Sequence, residues 1–129
     1  MRPAPSSIPR LVVRLKLHGD SVLGPGKVDL LECIDRCGSI SAAAREMEMS
    51  YRQAWMLIDT LNQAFGRPVI ETTQGGRSGG GARLTSRGKR IVAGYRALQA
   101  KVAKSTRDDV EAIVSLMASS AGRRDTRRR

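Results

Sequence analysis

The stretch from Ser39 to Phe65 leaves the chain the least freedom. It opens Ser39-Ile-Ser-Ala-Ala-Ala-Arg-Glu-Met47, breaks at Glu48-Met49 and resumes as Ser50-Tyr-Arg-Gln-Ala-Trp-Met-Leu-Ile58. Ser39 or Ser41 can cap a short helix over 42–47, because a serine oxygen accepts one of the amide protons that a first turn leaves unpaired. Three consecutive alanines, Ala42 to Ala44, favour helix and let a neighbouring helix come close. Ser50 starts the next helix, with Gln53 at the spacing of a reciprocal cap. Two helices joined by so short a turn must cross steeply, which is the geometry of a helix-turn-helix.

At about 100° per residue, Ala54, Ile58, Leu61 and Phe65 gather on one face of the second helix, with Leu57 beside them. Arg52, Met56, Asp59 and Gln63 fall on the opposite face, and Tyr51 and Trp55 lie one turn apart on a flank. The first face packs inward; the other is free to enter a groove. Gly66 stops the helix. Beyond it, 68–73 reads as a strand, Gln74 to Gly81 as a glycine-rich loop and 82–85 as a return strand, together a hairpin or wing.

Upstream, Val13, Leu15 and Leu17 alternate with Arg14 and Lys16, the period of a half-buried strand over 11–18. Gly19 to Gly26 breaks the chain, and from Lys27 the apolar spacing turns helical until Gly38. Downstream, Thr85 or Ser86 caps a long helix with Ile91, Tyr95, Leu98 and Val102 on one stripe. The pattern pauses at Ser105-Thr106 and continues through Val110, Ile113, Val114 and Met117, so 86–120 is either one helix or two. That stripe exceeds what so small a domain can cover, and part of it is expected against a second chain. The expected fold class is mainly α with a small β component: a winged helix-turn-helix with a long C-terminal dimerisation helix over 11–120. A disordered lead, 1–10, and an arginine-rich disordered tail, 121–129, flank it.

The charge agrees with this plan. Of 129 residues, 23 are basic and 12 acidic, a net charge of +11. Setting aside Arg123–Arg129, which holds five Arg and one Asp, still leaves +7. From Thr72 through Ser105 there is no acidic residue, whereas Arg77, Arg83, Arg87, Lys89, Arg90, Arg96, Lys101 and Lys104 all fall there. Charge of one sign over such a span suits a polyanion, although alone it fits a solvated surface as well. Its conjunction with a helix-turn-helix and a glycine hairpin points to double-stranded DNA. The first ten residues carry three prolines and no apolar centre, unlike a signal peptide, and no run reaches membrane-spanning length. A cytoplasmic protein with no membrane partner is expected.

Other chemistries fit poorly. The glycine loop lacks the Gly-Lys-Ser/Thr ending of a phosphate-binding loop and joins two strands rather than a strand and a helix. His18, Cys33 and Cys37 match no common zinc spacing and would need a carboxylate such as Asp20, so no metal and no cofactor are expected. Cys33 and Cys37, one helical turn apart, are poorly placed for a disulfide and read as small buried apolar residues. With one histidine and no Ser/His/Asp or paired-carboxylate arrangement, no catalytic residue and no enzyme activity are expected.

Three stretches carry a family resemblance: Gly38-Ser-Ile-Ser-Ala-Ala-Ala44, Ser50-Tyr-Arg-Gln-Ala-Trp55 and Thr73-Gln-Gly-Gly-Arg-Ser-Gly-Gly-Gly-Ala-Arg-Leu-Thr-Ser-Arg-Gly88. Together they resemble the N-terminal DNA-binding domain of ModE-type molybdate-responsive regulators, itself related to the winged helix-turn-helix of LysR-type regulators. The likeness covers roughly residues 11–120. It implies a homodimer held by the N-terminal strand region and the long helix, reading a pseudo-palindromic operator near molybdate-uptake or molybdoenzyme genes. Val13, Leu15, Leu17, Tyr95, Leu98, Val102, Ile113 and Met117 are the expected interface residues. The Mop-type domains with which full-length members sense oxyanion have no counterpart in these 129 residues, so molybdate or tungstate as effector draws no support from this stretch.

On DNA, the helix N-termini at Ser39 or Ser41 and at Ser50 are expected on phosphates, with the Tyr51 hydroxyl beside them. Arg52, Gln53 and Met56 would meet base edges in the major groove, arginine to guanine being the commonest specific contact. Arg77, Arg83, Lys89 and Arg90 would hold the flanking backbone. Two alternatives stay open: a sequence-tolerant architectural protein that coats or bends DNA, and a DNA-binding subunit whose effector domain is a separate chain.

Overall fold

The computed structural model describes residues 9–74 and 80–118. Arg77, the tail at 121–129 and the lead up to residue 8 lie outside the described residues. The expected strand over 11–18 contracts to β1 (Leu15–Lys16), which pairs antiparallel with β2 (Val22–Leu23), Leu15 opposite Leu23. The stretch expected to break the chain therefore closes a hairpin. Gly19 takes a left-handed φ of 64°, and the Leu17 amide donates to Ser21 O at 2.8 Å. Two residues are too few for a strand period to show.

α1 (Pro25–Cys37) starts two residues before the expected Lys27. Proline suits a first turn, where its missing N–H would have no partner anyway. The helix ends on Gly38, whose φ of 79° lets its amide turn back to Ile34 O. α2 (Ile40–Glu46) is capped by Ser39, whose Oγ accepts from the Ala42 amide at 3.0 Å, so Ser41 lies inside the helix and caps nothing. Glu48, at φ 57°, swings the chain into α3 (Tyr51–Phe65), capped by Ser50 Oγ on the Gln53 amide at 3.0 Å. β3 (Ile70–Thr73) and β4 (Gly81–Leu84) form the wing, Ile70 opposite Leu84 and Thr73 opposite Gly81. α4 (Ser86–Ser105) takes Thr85 as its cap, and α5 (Arg107–Val114) follows. The C-terminal stretch is thus two helices. Thr106, its hydroxyl donating to Val102 O at 2.6 Å, marks the break.

α1 lies at the centre. Its Val28, Leu30, Leu31 and Ile34 are fully buried with Ile58 and Leu61 of α3 and with Val69, each burial contributing about 1.5–3 kcal/mol. Ala43, Ala44 and Ala54 are buried too, small residues that let α2 sit close between α1 and α3. Polar contacts fix the wing to this core. Asp35 Oδ1 accepts from the Leu84 amide at 3.0 Å, Gly38 O from Ala82 at 2.8 Å and Asn62 Oδ1 from Val69 at 2.9 Å. The α2–α3 pair and the root of the hairpin therefore share α1 as their support.

Candidate nucleic-acid interface

α3 divides as its spacing predicts. Ala54, Ile58 and Leu61 are buried, Leu57 and Phe65 half-buried, and Arg52, Gln53, Met56, Asp59 and Gln63 exposed. Trp55 packs half-buried against the core, and exposed Tyr51 meets it edge-on, ring centroids 6.3 Å apart. Met56 is 59% exposed, a large apolar side chain in water on an otherwise polar face. Such a residue suits contact with a thymine methyl. The Ser50 cap leaves Tyr51, Arg52 and Gln53 on the first turn, the part of a recognition helix that meets base edges.

The cations are not all equivalent. Arg96, counted in the acid-free stretch, reaches across to α1 and pairs with Asp29 at 2.6 Å and with Glu32. Its hydrogen bonds to Glu32 and Asp29 raise its pKa further and fix it as an internal tie. Arg83 lies 3.2 Å from Glu71 on the facing strand of the wing, which reduces its pull on a phosphate. Among the described residues Arg52, Lys89 and Arg90 are exposed and form no salt bridge. Their charge is available to a polyanion.

The residues expected at a dimer interface separate in the same way. Tyr95 is only 2% exposed and donates its hydroxyl to Val13 O at 2.6 Å. Burial pushes the phenol pKa up, and the ring is spent inside the chain rather than on a second one. Leu15, Ile113 and Met117 are exposed, and Val13, Leu17, Leu98 and Val102 half-buried. Leu98 lines an apolar groove with Leu15, Leu23, Phe65 and Ile91; Val102 lines another with Leu11, Val13 and Val110. Leu116, which the sequence pattern passed over, is 84% exposed.

A second cluster lies at the junction of α1 and α2. Cys33 Sγ and Cys37 Sγ are 3.8 Å apart, and Glu46 brings Oε2 to 3.2 Å from Cys33 and Oε1 to 3.7 Å from Cys37. Arg36 pairs with Glu46 and donates to Cys33 Sγ at 3.4 Å. Burial, then the hydrogen bond to Glu46, pushes the Cys33 thiol up to about 12. The hydrogen bond from Cys33, reinforced by the Arg36 charge, holds the Glu46 carboxyl below its usual range. His18 and Asp20, exposed at the β1–β2 turn, take no part. Glu46 was missed because it enters from another helix, where no spacing rule reaches.

Residues 26–89 match the family described as bacterial regulatory helix-turn-helix protein, lysR family. The chain is 45% identical over 92 residues to the molybdenum transport protein ModE of Azotobacter vinelandii, a match covering 70% of this chain and 34% of that protein. It is 46% identical over 82 residues to the molybdenum-pterin-binding protein MopB of Rhodobacter capsulatus, covering 64% and 30%. With the DNA-binding transcriptional dual regulator ModE of Escherichia coli (strain K12) it shares 36% identity over 85 residues, covering 66% and 32%. The chain spans about a third of the length of these relatives.

Proposed function

The domain at residues 26–89 belongs to the lysR-type family of bacterial regulatory helix-turn-helix proteins, in its ModE-like form, and from that premise we propose that the chain regulates transcription as a homodimer on double-stranded DNA. The observation that carries this reading is the exposed outer face of the first two turns of α3, where Arg52, Gln53 and Met56 stand clear of the core just after the Ser50 cap. In the major groove Arg52 would pair with a guanine edge while Gln53 and Met56 meet neighbouring bases. Tyr51 and the N-terminal turns of α2, capped by Ser39 and carrying Ser41, and of α3, capped by Ser50, would face phosphates. Lys89, Arg90, Arg83 and Arg77 would hold the backbone on either side. These contacts position and read; none performs chemistry, and the role is that of a non-enzyme working in the cytoplasm. No helix among the described residues is long and apolar enough to cross a membrane.

Residues 11–120 would act as one DNA-binding and dimerisation unit. Leu15, Leu98, Val102, Ile113 and Met117, with Leu116 added, supply the apolar surface for a second copy. A two-fold dimer presents two copies of α3 and therefore reads a pseudo-palindrome with half-sites about 34–36 Å apart. Genes of molybdenum uptake or use are the proposed targets, after the names of the relatives. Selection of bound sequences from random duplexes, with and without molybdate, tests the proposal. A preferred two-fold site bound about 10³-fold or more above mixed DNA is expected. Equal affinity for all sequences would instead mark a coating or bending protein.

A further inference from the structure

We propose that Cys33, Cys37 and Glu46 form a binding site for a soft divalent metal ion, zinc or a close analogue, that bridges α1 to α2. One ligand atom from each of the three residues lies within 4.8 Å of the others. With Zn–S near 2.3 Å and Zn–O near 2.0–2.2 Å, two thiolates on tetrahedral zinc stand about 3.8 Å apart, and a thiolate and a carboxylate oxygen about 3.5 Å. The two sulfurs here are 3.8 Å apart, and the Glu46 carboxylate brings one oxygen, Oε2, to 3.2 Å from Cys33 Sγ and the other, Oε1, to 3.7 Å from Cys37 Sγ. A turn of the Glu46 carboxylate that offers one oxygen to both sulfurs would close the three donors on an ion.

Each element supplies its donor for a local reason. Cys33 and Cys37 stand four apart on α1, which stacks them on one face near its C-terminal end. Glu46 is the last residue of α2 and turns its carboxylate back over that face. Cys33 is buried, whereas Cys37 is half-buried and Glu46 exposed, so an ion can enter from solvent on the Glu46 side. Two sulfur donors select zinc-like ions over magnesium or calcium.

Arg36 already holds a cation against the same atoms, paired with Glu46 and donating to Cys33 Sγ. On binding, the ion replaces that guanidinium and both thiols give their protons to water. Two thiolates and one carboxylate around a divalent ion leave one negative charge, which Arg36 can neutralise from outside. A water completes the fourth position. Ligation would staple the C-terminal turn of α1 to the last turn of α2, the helix on which α3 is seated. None of its three ligands is among the residues proposed to meet DNA, and its test needs no DNA.

The experiment is titration of the fully reduced chain with Co(II), a coloured stand-in for zinc. The expected result is one ion per chain, with tetrahedral visible bands and a sulfur-to-cobalt charge-transfer band of two-thiolate intensity, all bleached by zinc. Cys37→Ser, at a half-exposed position, should halve the charge-transfer band and weaken binding by at least about tenfold, the lower end of what even outer-shell partners cost. Glu46→Gln should keep both thiolates but bind at least about tenfold more weakly, with the helical signal of both variants unchanged. His18→Ala should change nothing. No charge-transfer band in the parent chain would overturn the proposal, as would unchanged affinity in both Cys37→Ser and Glu46→Gln, or loss of binding in His18→Ala.

Discussion

Gly88 and Gly94 lie on the same helix and should respond to alanine with opposite sign. A Cβ placed on Gly88 would stand 2.2 Å from Val69 O and 3.1 Å from Leu84 Cδ2, because the first turn of α4 rests on the chain that enters the wing. Ordinary contact begins near 3.4 Å, so α4 or Val69 must retreat by about 1 Å, and such overpacking costs about 1–3 kcal/mol. The retreat also stretches the hydrogen bond that the Thr85 amide donates to Val69 O, now 3.0 Å, a further loss of about 0.5–1.5 kcal/mol. Alanine returns up to about 1 kcal/mol of helix propensity. The net expectation for Gly88→Ala, with the full propensity returned, is destabilisation by about 0.5–3.5 kcal/mol. At Gly94 a Cβ meets nothing within 4 Å, and only the propensity remains, a gain of about 0.5–1 kcal/mol. Urea unfolding separates the two: with a slope of about 1–3 kcal/mol per molar, the Gly88→Ala midpoint should fall by about 1 M while that of Gly94→Ala rises. A neutral or stabilising Gly88→Ala would refute the close approach of α4 to Val69.

Three further outcomes follow from the described contacts. Tyr95→Phe removes the 2.6 Å bond to Val13 O and should cost about 0.5–1.5 kcal/mol, read as a lower Tm, with faster amide exchange around β1. Lys89→Ala should weaken binding to every DNA sequence alike and reduce the slope of log K against log salt by about 0.9, the signature of one lost phosphate contact. Replacing exposed Leu116 and Met117 together by serine should shift sedimentation equilibrium from dimer to monomer without changing the helical signal. A dimer of unchanged strength would move the interface elsewhere.

What the sequence disclosed was local. Caps and stops depend on one residue and its immediate neighbours, so Ser50, Gly38 and Gly66 were readable, the α4 cap was narrowed to Thr85 or Ser86, and the inward face of α3 followed from angle alone. The Val22–Leu23 strand was not, because a two-residue strand shows no period. Long-range partners were hidden as well. Arg96 looked like part of a free positive field, yet Asp29 and Glu32 meet it from 67 and 64 residues away. Tyr95 sat on an apolar stripe whose pattern could not tell a core position from an interface, and the chain's own Val13 takes its hydroxyl. The Cys33, Cys37 and Glu46 grouping needs the α1–α2 crossing before it exists at all.

The account rests on the outer face of α3 reading bases. Its most direct test compares Arg52→Ala with the parent chain on the selected site and on mixed-sequence DNA at one fixed salt concentration. Loss of about 1–3 kcal/mol on the selected site, with little change on mixed DNA, is the predicted result. The same factor of loss on both would show that Arg52 touches only the backbone and contradict base reading by this helix.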